Sequence, residues 1–263
     1  RQRQMCIRDR NQASQIEAWL NENLASFQMA KTIIEDLKPS DEELKTILDG
    51  YYGYNSNYPE GLYVADSTGQ LITASESTKK ESDVTNSTWY KEGLTRVNMA
   101  VGSAYQNADG VNVISASGIL NDGSDKVRVI SADMTLDRIA IIVNSFIEMN
   151  DAEAFLVDKT SGVILANRDS SLISQTLGAE GQSHFYQLTA EKAAEKDYNF
   201  ATLDGNMTVF QEVDGTNWLL ISYIPTSIVL SDLTQLRNIM IVISVICIAC
   251  LLYTSPSPRD LST

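Results

Sequence analysis

Histidine and cysteine, two side chains that enzymes often use for catalysis, are scarce in this chain. Its 263 residues include one histidine, His184 in the run GQSHFYQL, and three cysteines, of which Cys247 and Cys250 lie in an apolar run. A hydrolase needs a nucleophile beside an oriented base, and neither a Gly-x-Ser-x-Gly elbow nor such a pair is recognisable. The sequence also lacks a phosphate-binding P-loop, a Gly-x-Gly-x-x-Gly run and zinc-ligand spacing. We therefore expect no enzymatic activity, no cofactor and no metal.

Two aromatic side chains indicate binding rather than catalysis. Trp89 and Tyr90 lie side by side in the polar, loop-like run TNSTWYKEG, whose pattern offers no core for the two rings. One interpretation is that the rings form the walls of a ligand pocket. The other is that they plug the domain as ordinary packing residues.

The charge of the chain excludes one class of partner. The formal net charge is −14 at pH 7. A nucleic-acid-binding surface needs clustered lysine and arginine to neutralise phosphates. We therefore expect no nucleic-acid partner.

Apolar periodicity predicts one long amphipathic helix near the start of the chain. Over residues 16–37, apolar side chains recur at steps of three and four. Ser40 and Glu43 then form a capping-box pattern, which predicts a second, short helix. We expect residues 11–50 to be a helical spine rather than a binding site.

The region after the spine is predicted to contain two copies of one α+β unit. The hairpin pattern GLYVADSTGQLITA is followed, about 92 residues later, by the similar pattern AFLVDKTSGVILA. Further strand candidates follow each hairpin, at residues 99–105, 111–120 and 126–133 and again at 198–203, 207–213 and 218–224. Short strands joined by tight turns predict antiparallel sheets. We place the two units at residues 51–149 and 150–237.

In order and spacing these pieces resemble the double Cache sensor domains of bacterial transmembrane receptors, which include chemoreceptors, sensor histidine kinases and cyclic-dinucleotide enzymes. The resemblance covers residues 12–237 and depends on the leading helix, the GLYVADSTGQLITA hairpin, WYKEGL, VISADMTLDRI and NWLLISYIP. It implies an α+β fold with a long N-terminal helix and two tandem PAS-like modules with antiparallel sheets. It also implies that the first, membrane-distal module holds a small-molecule ligand and that the second, membrane-proximal module relays the signal.

The resemblance assigns a ligand site to the distal module. Family members that bind amino acids share a motif of aromatic and acidic residues. The residues of this chain that match the motif are Trp89, Tyr90, Tyr105 and Asp133. Asn107 stands where the family has a strand aspartate, and we include it in the predicted site. Asp133 is expected to face the ammonium group of the ligand.

Two departures from the motif change the expected ligand. The family's arginine is Ser87 here, and its earlier tyrosine corresponds to Ser82. An arginine fork grips a carboxylate through charge-assisted hydrogen bonds of about 1.5 to 3 kcal/mol each, and serine cannot replace it. Aromatic faces attract a cation by about 0.5 to 2 kcal/mol. We therefore predict a ligand with a cationic nitrogen and no obligatory carboxylate, most simply an amine.

Several alternatives stay open from sequence alone. The site can be an amino-acid or purine pocket with a rearranged lining. Asp133 can instead cap the helix that begins near Leu136. The whole chain can also be a membrane-anchored adhesion or assembly module that senses nothing.

The run IMIVISVICIACLLY, at residues 239–253, is typical of a membrane helix. As a helix it is about 22 Å long, a turn or two short of a hydrocarbon core of roughly 30 Å. A buried core helix is the alternative. We predict a truncated transmembrane helix at residues 238–253 and artefactual sequence, resembling translated adapter, at residues 1–10 and 254–263. The protein is then expected in the cell membrane, as a homodimer, with its sensor region outside the cytoplasm.

Overall fold

The computed structural model describes residues 2–146 and 152–254. Its helices are α1 (Gln2–Leu37), α2 (Asp41–Asp49), α3 (Thr88–Gly93), α4 (Leu136–Phe146), α5 (His184–Ala194) and α6 (Thr226–Thr254), with 3-10 turns at Val84–Asn86 and Ser170–Leu172. Its strands are β1 (Tyr63–Asp66), β2 (Leu71–Ile72), β3 (Ala100–Gln106), β4 (Asn112–Leu120), β5 (Arg128–Thr135), β6 (Glu153–Asp158), β7 (Ile164–Ala166), β8 (Ala201–Leu203), β9 (Asn206–Val213) and β10 (Trp218–Pro225).

The strands form two antiparallel five-stranded sheets with the same topology. The orders are β2-β1-β5-β4-β3 and β7-β6-β10-β9-β8. In each sheet the first strand of the hairpin pairs with the last strand of the same unit, β1 with β5 and β6 with β10. The predicted α+β fold with a repeated unit is confirmed. The exact boundary predicted between the units, at residues 149 and 150, lies outside the described residues.

The predicted spine is part of α1, whose apolar positions are buried. Ile16, Leu20, Phe27 and Ile34 are at most 2% exposed. The helix contacts β4 in the first sheet and β9 and β10 in the second. Its burial therefore depends on both modules, which makes it a shared support.

The capping box that opens α2 is also confirmed. The Ser40 hydroxyl accepts from the Glu43 backbone N–H, and Glu43 Oε2 accepts from the Ser40 N–H at 2.8 Å. At the other end of the spine, the structure describes residues 2–10 as the first turns of α1, with Asp9 buried. The artefactual origin of residues 1–10 stays a prediction, and residues 255–263 of the predicted tail lie outside the described residues.

Period-two alternation gives the first sheet two different faces. Along β5, the even-numbered residues of 130–134 join the apolar core that also contains α1 side chains. The odd-numbered residues of 129–133 point to the opposite face. The short helix α3 covers this second face, where Trp89 and Tyr90 pack with Val129. The sheet thus separates a structural core from the face that carries Asp133.

The modules are also joined by a hydrogen bond. The Ala104 N–H, in an irregular part of β3, donates to Asp158 Oδ2 at 2.8 Å. Asp158, at the end of β6, is fully buried. The edge strand β3 of the first sheet is therefore hydrogen-bonded to the second module.

The apolar run at residues 239–253 lies in the second half of α6. The large apolar side chains described there are about half exposed or more, for example Ile239 at 49% and Met240 at 63%. In the part of the chain that the structure describes, no helix combines the length and the apolar character needed to cross a membrane.

Candidate ligand-binding site

Asp133 is the centre of a hydrogen-bond network on the covered face of the first sheet. Its Oδ1 accepts from the Tyr63 hydroxyl and, at 2.6 Å, from Ser115 Oγ. Its Oδ2 accepts from Lys79 Nζ at 2.6 Å. The side chains of Lys79 and Asp133 are 7% and 12% exposed. The carboxylate is therefore nearly buried and balanced by an ammonium group of the same chain.

Strand register explains why these groups converge. Ser115 lies directly opposite Asp133 across β4 and β5, and Tyr63 lies opposite Ser131 across β1 and β5. Because side chains alternate along a strand, all of these point to the same face. Two of the groups come from neighbouring strands, so regular pairing is enough to place them around the carboxylate.

Lys79 comes instead from an irregular segment, residues 73–83, between β2 and the first 3-10 turn. Asp49 accepts from the N–H and hydroxyl of Ser75. Glu60 accepts from the Ser77 hydroxyl and the Thr78 N–H. The hydrogen bonds to these two carboxylates hold the backbone just before Lys79 in place. The Lys79 side chain therefore points toward the sheet.

Aromatic rings surround the buried ammonium group. Lys79 Nζ lies 4.2 Å from the centroid of the Tyr63 ring and 6.0 Å from that of Trp89. The two rings meet edge to face at 4.8 Å. Trp89 is fully buried, and its Nε1 donates to Glu81 Oε2 at 3.4 Å. The arrangement is that of a cation site, in which ring faces and a carboxylate stabilise one positive charge.

Tyr105 is linked to Asp133 through Ser115. Its hydroxyl lies 2.7 Å from Ser115 Oγ, which in turn donates to Asp133. Burial and then the negative charge of Asp133 raise the pKa of Tyr63 and of Tyr105 above the usual range. Both hydroxyl groups therefore stay protonated at neutral pH and remain able to donate.

Tyr90 and Asn107 do not reach Asp133. The Tyr90 ring packs against Trp89 at 5.8 Å, but its hydroxyl donates to the Val127 carbonyl at 3.3 Å. Val127 precedes β5 and lies six residues from Asp133, roughly 20 Å along a strand. Asn107 Oδ1 accepts from two N–H groups of its own turn, those of Asp109 and Val111. The structure thus unites Trp89, Tyr105 and Asp133 and places the other two predicted residues elsewhere.

The structure tests two alternatives to a ligand site, that Asp133 caps α4 and that the aromatic pair is ordinary packing. The N-terminus of α4 is capped by Thr135, whose Oγ1 accepts from the Arg138 N–H at 3.3 Å. Asp133 is therefore not the helix cap. Trp89, by contrast, is packed as a plug would be, and the run expected to be loop-like forms α3. In this structure the aromatic pair fills the module, and Trp89 also borders the cation site.

Sequence reasoning missed Tyr63, Lys79 and Ser115. A signal existed for Ser115, because β4 and β5 carry serines at the buried positions 115, 117 and 131. Buried hydroxyls at every second position indicate a polar face within an apolar sheet. Lys79 has no such signal, since it lies in a polar segment without periodicity. The structure therefore places a cation, the Lys79 ammonium, at Asp133, although position 87 is a serine.

Comparison with known families gives a match, to a family model described as a Cache domain, which covers residues 2–233 of this chain. No curated protein matches it. Among solved structures, the ligand-binding domain of the Pseudomonas fluorescens chemoreceptor CtaA with L-leucine is 19% identical with a TM-score of 0.67, over 88% of this chain and 97% of that one. At this identity the likeness is one of fold.

Two further neighbours come from Pseudomonas aeruginosa PAO1. The ligand-binding domain of the amino acid chemoreceptor PctC with GABA is 20% identical, with a TM-score of 0.65 over 85% of this chain and 98% of that one. That of PctB with L-Arg is 18% identical, with a TM-score of 0.64 over 88% and 97%. The two-module architecture is therefore shared nearly end to end with these domains.

Proposed function

Since the chain belongs to the Cache domain family, we propose that it is the extracytoplasmic ligand-sensing part of a membrane receptor. Its distal module binds a small molecule with a cationic nitrogen, most simply an amine, at Asp133. The chain performs no catalysis in this role.

One observation carries the proposal: the site around Asp133 holds a primary ammonium group, that of Lys79, against the Tyr63 ring. The amine of a ligand has the same charge, size and donor geometry as this group. A nearly buried carboxylate, donors from Tyr63 and Ser115, and two ring faces are therefore already arranged for that chemistry. The solved neighbours support it, because amino acids and GABA each carry a cationic nitrogen.

An amino acid is the second candidate, and Lys79 is the observation that favours it. A zwitterion has a carboxylate as well as an ammonium group. If the ligand's ammonium pairs with Asp133, the displaced Lys79 ammonium lies beside it and offers a partner for the carboxylate, which Ser87 does not. Lys79 would then be required for binding, whereas a simple amine does not need it.

Three probes of equal chain length separate these candidates. n-Butylamine carries only the ammonium group, butyrate only the carboxylate, and GABA carries both. Isothermal titration calorimetry of the purified, detergent-solubilised chain is expected to show n-butylamine and GABA binding and butyrate not binding. Asp133→Asn is expected to abolish both interactions while the variant still unfolds cooperatively on heating.

Two results would contradict the amine site. Butyrate binding without n-butylamine binding would show an anion site. Equal n-butylamine affinity in the wild type and in Asp133→Asn would place the ligand elsewhere. GABA binding with no n-butylamine binding would select the amino-acid candidate.

The proposal extends to the membrane and to self-association. Half-exposed apolar side chains at residues 239–248 support anchoring through α6. Met29, Ile33 and Leu37 are 45–66% exposed on α1 at four-residue steps, which supports a homodimer through that face. Analytical ultracentrifugation of the detergent-solubilised chain is expected to give a dimer, and Ile33→Lys is expected to shift it toward monomer. A dimer unchanged by Ile33→Lys would place the contact on another surface.

A further inference from the structure

Lys79 occupies the position that the proposed function gives to the ligand. We propose that Lys79 is an internal competitor for the cation site, so that its ammonium group must leave Asp133 before an amine binds. The inference rests on the proposed function, because it names the residue that controls access to the same site. It makes Lys79, rather than the aromatic pair, the residue that sets affinity.

The geometry leaves one place for a cation. Asp133 Oδ1 already accepts from Tyr63 and Ser115, and Lys79 Nζ fills the space between Oδ2 and the Tyr63 ring. That space is nearly closed to solvent, since the Lys79 side chain is 7% exposed. A second ammonium group there would repel the first in a poorly screened environment. Ligand binding and the Lys79 contact therefore exclude each other.

The segment that carries Lys79 is weakly held, so the side chain can move away from Asp133. This segment, residues 73–83, pairs with neither sheet, and its hydrogen bonds to Asp49 and Glu60 lie mostly at exposed positions. Hydrogen bonds of that kind open at small cost compared with a strand in a sheet. Glu81 lies two residues further on, beside Trp89, and offers the released ammonium another carboxylate. The released state therefore keeps its charge paired.

Competition has a predictable size. A ligand that binds only the released state has an apparent dissociation constant equal to the intrinsic value divided by the population of that state. Minor conformers of this kind are commonly populated at roughly 0.1 to 10%. Removing the Lys79 ammonium is therefore expected to tighten amine binding by about ten- to a thousandfold.

Chemical rescue tests the inference directly. Lys79→Ala removes three methylene groups and the ammonium, which together correspond to n-propylamine. We expect Lys79→Ala to melt at a lower temperature than the wild type, and millimolar n-propylamine to raise that temperature and to bind about tenfold or more tightly than to the wild type. The neighbouring exposed Lys80→Ala is the matched control, with wild-type melting and wild-type amine affinity.

The outcomes separate this inference from the proposed function. If n-propylamine binds the wild type and Lys79→Ala equally, the competitor role is wrong and the amine site stands. If it binds Lys79→Ala alone, the competitor role holds, and the site in the natural protein serves Lys79 rather than an amine. If it binds neither, both are wrong. Rescue by propionate as well as by n-propylamine would show cavity filling without charge recognition and would also overturn the inference.

Discussion

Replacing Asp66 by asparagine is expected to destabilise the hairpin that carries Tyr63, in a way that depends on pH. Asp66 ends β1 and is 1% exposed. Burial alone raises its pKa, but hydrogen bonds from Lys126, Thr68 and Gln70 outweigh burial and lower the pKa to about 2. The carboxylate is therefore bound more favourably in the folded chain than in the unfolded chain.

The size of the effect follows from the two pKa values. The unfolded value is 3.8, and a difference of nearly two units corresponds to about 2 kcal/mol. Because the folded pKa is the lower one, this stabilisation is fully present above the unfolded value and is lost as pH falls through about 2. The Asp66→Asn variant is thus expected to lose about 2 kcal/mol at pH 7 and about 1 kcal/mol at pH 3.

Urea unfolding of wild type and variant in the same detergent measures this difference. Asp169→Asn is the control, because Asp169 accepts from Ser171 in a similar turn but is exposed, so its replacement should matter much less. A loss that is the same at pH 3 as at pH 7 would refute the electrostatic argument. No loss at pH 7 would show that the Lys126 ion pair, at 2.8 Å, contributes nothing.

Three further outcomes follow from the contacts described above. Tyr63→Phe should weaken n-butylamine binding several-fold in calorimetry, whereas Tyr90→Phe should leave it unchanged, because Tyr63 donates to the Asp133 carboxylate and Tyr90 donates to the Val127 carbonyl; equal effects would contradict the placement of the two rings. Burial raises the pKa of Asp9 to about 6, so Asp9→Asn should stabilise the chain by about 3 kcal/mol at pH 7 and by less than about 1 kcal/mol at pH 4 in urea unfolding; no gain at pH 7 would show that Asp9 is solvated. Gly102→Ala should lower the melting temperature in calorimetric scans, since its new Cβ would lie 1.8 Å from Glu92 Oε2; wild-type melting would show that the Glu92 carboxylate moves freely.

Most of the architecture was predictable because it depends on local patterns. The three- and four-residue spacing of the first helix, the capping box at Ser40 and the two hairpins each specify an element within about a dozen residues of sequence. The repeat then predicted two similar units, and the sheet orders confirm them. α3 was missed, because its six residues lie in a polar run and are held in place by packing of Trp89 rather than by helical periodicity.

The site was predictable only in part. Trp89 and Asp133 followed from the family resemblance, and the structure joins them through Lys79 and Tyr63. Asn107 followed from the same resemblance, and its role in ligand binding stays a prediction. In the structure its side-chain oxygen accepts from two N–H groups of the β3–β4 turn.

The sequence by itself determined the long first helix, the capped second helix, the hairpins and the alternation that places Asp133 on a covered face, because these depend on neighbours within a few residues. Only the tertiary structure decided which cation meets that carboxylate. Lys79 is 54 residues away in sequence, and its segment has no period that reports a direction. A contact between residues so far apart depends on the packing of β1 against β5 and on the hydrogen bonds that Asp49 and Glu60 accept from the Lys79 segment. No local sequence pattern encodes it.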